Sequence, residues 1–257
     1  MHSGRRVAVW SLVITIFGDA VLPRGGTAAM ADLQMLASKL GVSSGALRTA
    51  MSRLASDGWA TREKQGRNSS YTLTEKAVGQ SRDAAHVIYR SWMTTDEWVL
   101  AIDADGSEAP GSVAPGVRIV EKADPVVGRS SDCLVLSAEV RALPDWARAA
   151  ICPPDWEAGL AALAEILEPM AANTDPLIDL EPENALAARV ALIHIWRRLI
   201  LRHPVLPKAV VGENWPGDRT LKALGVVYGA LVHSSERFWE TPTPSAGVRE
   251  IEQRFGA

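Results

Sequence analysis

Apolar residues recur along the chain with periods of three to four in some stretches and of two in others. Val7 to Phe17 is apolar almost all round, as in a helix packed on several sides. Gly18-Asp19 and then Pro23-Arg24-Gly25-Gly26 are expected to break it. Met30, Leu33, Leu36, Ala37 and Leu40 share a stripe that predicts a helix from about Met30 to Lys39. Gly41-Val42-Ser43 follows as a tight turn, with Gly suited to a positive φ and Ser43 or Ser44 suited to cap the next helix. That helix, Ser44 to about Asp57, places Leu47, Met51 and Leu54 on one stripe and is ended by Gly58. Trp59 to Lys64 and Ser69 to Leu73 read as strands joined by the turn Gln65-Gly66-Arg67-Asn68. A further helix starts at Thr74 and leads towards Arg90.

Beyond residue 90 the signal changes. Trp98 to Ile102 and Cys133 to Leu136 read as strands, separated by a stretch rich in Gly, Pro and Ser. From Asp155 the pattern is helical: Trp156, Leu160, Leu163 and Leu167 form a stripe that is expected to end at Pro169. A longer helix spans about Glu183 to Arg202, with Leu186, Val190, Ile193, Arg197 and Leu201 along it, and Pro204 and Pro207 stop it. The last runs from about Asp218 to Glu240 on Leu221, Leu224, Val227, Tyr228 and Leu231. The fold class is α+β, mainly helical. Three segments are expected: residues 1–90, a small α+β segment 91–150, and a helical segment 151–257.

Helix, three-residue turn with Gly, helix is the spacing of a helix-turn-helix, whose second helix enters the major groove of DNA. A hairpin straight after that helix completes a winged helix-turn-helix. Ser44, Arg48, Thr49, Ser52 and Arg53, left off the apolar stripe, are the candidates for DNA contact, with Lys64 and Arg67 on the wing for phosphates or a neighbouring groove. Charge sharpens the picture. The 257 residues carry a net −3, but residues 1–90 carry +6 and residues 91–257 carry −9, which suggests a basic module joined to an acidic one. A charge run alone is usually a solvated face; the complete order of elements is the more specific signal. The same elements used only for protein contacts are the alternative.

Other chemistries find little support. Cys133 and Cys152 are too few for a disulfide framework or a cysteine-rich zinc module, and are read as buried thiols in a reducing cytosol. Arg5-Arg6 and the apolar run after it mimic a secretory signal, but Gly18-Asp19 follows at once without a small-x-small cleavage site, so the run is read as a buried helix of a cytoplasmic protein. No stretch is long enough to span a bilayer. No nucleophile elbow, Walker loop or dinucleotide fingerprint occurs. His194, His203 and His233 lack metal-ligand spacing, and Asp103 is read as a solvated turn residue. No metal, cofactor or catalytic residue is expected. Seven of the nine tryptophans fall beyond residue 90, where aromatic cores or a pocket lining are expected.

Several segments resemble the PaaX family of bacterial transcriptional repressors of phenylacetate degradation. They are Ser11-Leu-Val-Ile-Thr-Ile-Phe-Gly-Asp19, Pro23-Arg24-Gly25-Gly26, Leu47-Arg48-Thr49-Ala50, Ser52-Arg53-Leu54-Ala55 and Gly58-Trp59. Gly66-Arg67-Asn68-Ser69-Ser70-Tyr71-Thr72-Leu73-Thr74 is similar to the family's wing, and the run His194 to Pro207 and Asn214-Trp215-Pro216-Gly217 are similar to its carboxy-terminal signature. The resemblance implies a ferredoxin-like domain at 91–150, although Ala114 to Val120 is a poor substitute for the long helix that the family has there. It also implies double-stranded operator DNA as a partner and phenylacetyl-CoA as the effector. His194, Arg197, Arg198, Arg202 and Trp215 are the candidates for that ligand, because guanidinium groups hold phosphate or carboxylate in bidentate fashion. Pairing of the arginines with the acidic residues of the same half is the alternative. A homodimer assembled through the acidic half is expected, since operators commonly offer two half-sites. A regulator of the same family sensing a different aromatic acid or CoA ester, and an enzyme acting on CoA thioesters, are the rival readings.

Overall fold

The computed structural model describes residues 9–66, 68–106, 111–122, 133–203, 205–239 and 243–256. In chain order, α1 (Val9–Ile16) is followed by β1 (Thr27–Ala29), α2 (Met30–Lys39), α3 (Ser44–Ser56), β2 (Ala60–Gln65), β3 (Asn68–Leu73) and α4 (Glu75–Ile88). Next come β4 (Thr94–Thr95), β5 (Trp98–Asp103), β6 (Ser112–Ala114), β7 (Val117–Glu121) and β8 (Cys133–Leu136). The remainder is α5 (Asp145–Ile151), α6 (Pro154–Ala172), α7 (Asp175–Ile178), α8 (Pro182–Ile200), β9 (Leu206–Pro207), α9 (Lys208–Val211), α10 (Pro216–Glu236) and α11 (Ser245–Glu252). The architecture is α+β, with helices predominating and several small sheets. Among the described residues no helix is long and apolar enough to cross a membrane.

The chain divides into two compact units. Unit 1 comprises residues 1–89, 173–197 and 225–257, and unit 2 comprises 90–172 and 198–224. The sequence pattern laid three segments end to end; in the structure the amino-terminal segment shares a unit with two carboxy-terminal stretches.

In unit 1, α1 does not break at Gly18-Asp19. It widens into a π-helical turn, Phe17–Val21, and then a 3₁₀ turn, Leu22–Arg24. The wider turn carries Asp19 into the interior, where its side chain is fully buried. The actual break is at Gly25 and Gly26, whose φ values of +97° and +77° suit residues without a Cβ. Helices α1 to α3 bury Val13, Ile16, Leu33, Leu36, Leu47 and Met51 in one core. Against it lies a three-stranded antiparallel sheet in the order β1-β3-β2, with Ala28 opposite Tyr71 and Arg62 opposite Tyr71 on the other side. Thr74 caps α4 by accepting from the Ala77 amide at 3.3 Å.

In unit 2, a four-stranded antiparallel sheet has the order β6-β7-β5-β8. Alternation along the strands puts Val99, Ala101, Val120, Cys133 and Val135 on one packed face. Ala114 to Val120 is a hairpin, β6 and β7, rather than a helix. Its turn needs Gly116, where φ is +70° and a Cβ would sit 2.7 Å from the Asp103 carbonyl oxygen. Asp103 is not a free turn carboxylate: Arg118 Nε and Nη2 donate to its two oxygens at 2.7 and 3.2 Å, and that hydrogen bond holds its carboxyl below the usual range. Helix α6 buries Trp156, Leu160, Leu163 and Leu167 and runs past Pro169 to Ala172. Pro169 removes only the bond to the Glu165 carbonyl, on an exposed side of the last turns.

Candidate nucleic-acid interface

The N-terminus of α3 is closed by Ser43, whose hydroxyl accepts from the Ala46 amide at 3.3 Å. This leaves Ser44 outside the cap. Leu47, Ala50, Met51 and Leu54 face the core, so helical geometry turns Ser44, Arg48, Thr49, Ser52 and Arg53 outward, and all five are exposed. Gly45 lies on the same face with open space around it. The first turn of α3 carries no acidic residue. Thr49 donates its hydroxyl back to the Gly45 carbonyl at 3.1 Å. Arg53 is partly engaged: its guanidinium lies 5.6 Å from the Trp10 ring and its Nε 3.5 Å from Asp57, an exposed pair of small worth.

Arg48 makes no ion pair among the described residues. With Ser52, Met30, Gln34, Arg62 and Tyr71 it borders a groove of about 240 Å³ between α2, α3 and the β2–β3 hairpin. Arg62, which the sequence reading passed over, sits with its guanidinium 6.0 Å over the Tyr71 ring, its cross-strand partner. Lys64 lies two residues further along β2, hence on the same face, and is exposed. The period-2 placement of Arg62 and Lys64 was the available signal. Arg67 lies outside the described residues. The surface of this segment thus offers Arg48 and Arg53 on the outward face of α3, with Arg62 and Lys64 beside it, and no acidic residue in the first turn of the helix.

The residues singled out for a ligand are divided between the units. His194 and Arg197 belong to unit 1 and meet at Thr15, whose Oγ1 is 2.8 Å from His194 Nδ1 and 3.0 Å from Arg197 Nη1. Arg198 and Arg202 belong to unit 2 and are exposed; α8 ends at Ile200, so Arg202 lies in the following turn rather than on the helix. Trp215 is buried in unit 2, edge-on to Trp156, which in turn stacks on His203 at 4.0 Å. Gly217 explains the Asn-Trp-Pro-Gly spacing, since a Cβ there would lie 2.0 Å from the Trp215 ring.

The sequence reading also missed a buried charge cluster in unit 1. Asp19 Oδ1 accepts from Tyr89 at 2.8 Å, Tyr228 at 3.0 Å and Arg254 at 3.0 Å, and Oδ2 accepts from Arg189 Nε at 3.0 Å. Arg189 continues to Ser235 and Glu236, both at 2.8 Å, and Glu236 also takes Arg24 and Thr243. Burial pushes the Tyr228 hydroxyl up to about 12, against the opposing pull of Arg254, so it stays a donor. Arg189 occupies a core-facing position three residues after Leu186, a place for an apolar side chain, and that misfit was its only signal.

Two family models match the chain: PaaX-like protein over residues 8–77 and PaaX-like protein C-terminal domain over residues 152–241. Together they take in more than half of it, and the chain belongs to the PaaX-like family. It is 27% identical over 287 aligned positions, covering 96% of this chain and 89% of the relative, to the transcriptional repressor PaaX of Escherichia coli (strain K12). In fold it is similar to the uncharacterized protein Rv0674 from Mycobacterium tuberculosis, with a TM-score of 0.50 at 20% identity, covering 90% of this chain and 98% of the other.

Proposed function

We propose that this PaaX-family regulator is a DNA-binding transcriptional repressor of an aromatic-acid (phenylacetate) catabolic operon. It leaves its operator when it binds an aryl-CoA thioester such as phenylacetyl-CoA. The observation that carries the reading is the exposed polar face of α3, flanked by Arg48 and by Arg62 and Lys64 of the hairpin. The order α1, β1, α2, α3, β2, β3 with its three-stranded sheet supports a winged helix-turn-helix. The strand order of the unit 2 sheet, second-third-first-fourth, supports a ferredoxin-like domain. The relationship to a named repressor points the same way. In this reading α3 of each protomer of a homodimer enters a major groove, with Ser44, Arg48, Thr49, Ser52 and Arg53 as its contacts to bases and phosphates, and with Arg62, Lys64 and Arg67 towards phosphates or a neighbouring groove. The effector favours a dimer geometry that no longer matches the half-site spacing, and its differential affinity sets the extent of release.

A gel shift on the DNA upstream of the protein's own gene cluster, with and without phenylacetyl-CoA, tests this. A shifted band that the thioester abolishes is expected. A band indifferent to the thioester removes the effector and leaves the DNA reading; no band at low salt removes both.

A further inference from the structure

Among the described residues, one guanidinium in the interior of unit 1 lacks a counter-charge. Arg24, Arg189 and Arg254 each pair with a carboxylate. Arg197, half-buried on α8, uses only Nη1, and only on neutral acceptors: the Ser11 carbonyl at 3.2 Å and Thr15 Oγ1 at 3.0 Å. Its Nε and Nη2 have no partner among the described residues. Burial lowers its pKa, with the nearby Tyr89 hydroxyl opposing the shift. Arg197 borders a cleft of about 30 Å³ formed by α1, the π-helical turn, α4 and α8. The walls are small or aliphatic, among them Ile14, Ala84, Ala85 and Ile193, and Ser81 contributes a hydroxyl that no described residue bonds. The floor includes Asp19, whose charge is already met by Arg189 and Arg254.

We propose that this cleft binds a small organic monocarboxylate, with its carboxylate on the free edge of Arg197 and the Ser81 hydroxyl and its apolar body along Ala84 and Ala85. Few convergent polar groups in a mainly apolar lining are the mark of a small-ligand site. The space holds two to three water molecules, at about 10–15 Å³ each by this measure, which suits a carboxylate head. A dianion such as phosphate is disfavoured, because one guanidinium faces it and the Asp19 carboxylate lies in the same lining. A CoA thioester does not fit either: its acyl carbon carries no carboxylate and its nucleotide far exceeds the cleft. The site therefore takes a free acid, and is separate from the thioester effector. Helix α4 leaves β3 directly at Thr74, so an occupant against Ser81 and Ala84 also acts on the helix that carries the hairpin. That consequence rests on the DNA-binding reading, whereas binding itself does not.

The test is calorimetric titration of the full chain with acetate and with butyrate, using butyramide and inorganic phosphate as the uncharged and dianionic comparisons. Saturable binding of at least one acid at millimolar concentration is expected, with neither comparison matching it. Arg197→Gln removes the charge, and Ala84→Leu fills the cleft while leaving Arg197 in place; both are checked for a native circular dichroism melt. Each should weaken the acid by about tenfold or more, as loss of a charge-assisted hydrogen bond or of the space requires. No saturable binding of either acid, full affinity in a folded Ala84→Leu, or phosphate binding as tightly as the acids overturns the proposal. A negative gel shift leaves it standing.

Discussion

Asp19→Asn is the sharpest test of what holds unit 1 together. The aspartate and Arg189 side chains are fully buried and Arg254 is 3% exposed. Four donors converge on the two carboxylate oxygens at 2.8 to 3.0 Å. An asparagine keeps one acceptor oxygen. If that oxygen faces the two tyrosines and Arg254, the new amide NH₂ faces Arg189 Nε, donor against donor. The substitution also leaves two buried cations with less negative charge around them. Removing one partner of a buried ion pair costs about 3–5 kcal/mol. Glu236 still pairs with Arg189 and the more exposed Glu250 with Arg254, which places the expectation at the lower end, about 3 kcal/mol. Against a total stability of roughly 5–15 kcal/mol this is a large fraction. With a urea slope of about 2 kcal/mol/M the midpoint falls by about 1.5 M. Urea melts followed by circular dichroism read it, and hydrogen exchange should show lost protection in α1 and α8. A midpoint within about 0.3 M of the parent would refute the cluster as a stabilising hub. Adding Arg189→Met to Asp19→Asn removes one stranded cation and should recover part of the loss.

Three further outcomes follow from particular contacts. Burial, with Arg202 beside it, lowers the His203 pKa from 6.5 to about 4. The unfolded chain therefore binds the extra proton between those values, and stability is full above pH 6.5 and falls as the pH drops towards 4. His203→Phe retains the stack on Trp156 and should flatten that part of the pH–stability curve; an unchanged curve assigns the dependence elsewhere. Gly247→Ala places a Cβ 1.9 Å from the Pro23 carbonyl oxygen, so α11 must shift; a loss of about 2 kcal/mol in a thermal melt is expected, and no change would contradict the close packing. Arg48→Gln and Arg62→Gln should each lower the slope of log affinity against log salt by about one unit in duplex binding; a slope that does not move takes that arginine off the phosphates.

Helix periodicity and turn chemistry are local, and where they act alone the elements were legible. The stripe Met30 to Leu40 gave α2 as Met30–Lys39, and Gly41, Ser43 and Gly58 bracketed α3 to within a residue. The outward face of α3 followed, because an amphipathic helix that buries Leu47, Met51 and Leu54 has one direction left for Arg48 and Ser52. Strand β1, three residues without room for an alternation, was silent until β3 paired with it. The π-helical turn was likewise invisible: Gly18-Asp19 reads as a stop, and only the donors of Tyr89, Arg189, Tyr228 and Arg254 make a buried aspartate tolerable there. Those donors lie 70 to 235 residues away from it in the chain. The sequence offers Arg197 as a candidate for the thioester ligand, but its lack of a counter-ion among the described residues depends on every neighbour in space. The sequence by itself determined which faces are apolar and where α2 and α3 start and stop. Tertiary structure decided which buried charges meet and which one is left facing a cleft, because ion pairing depends on distances that only the packed chain defines.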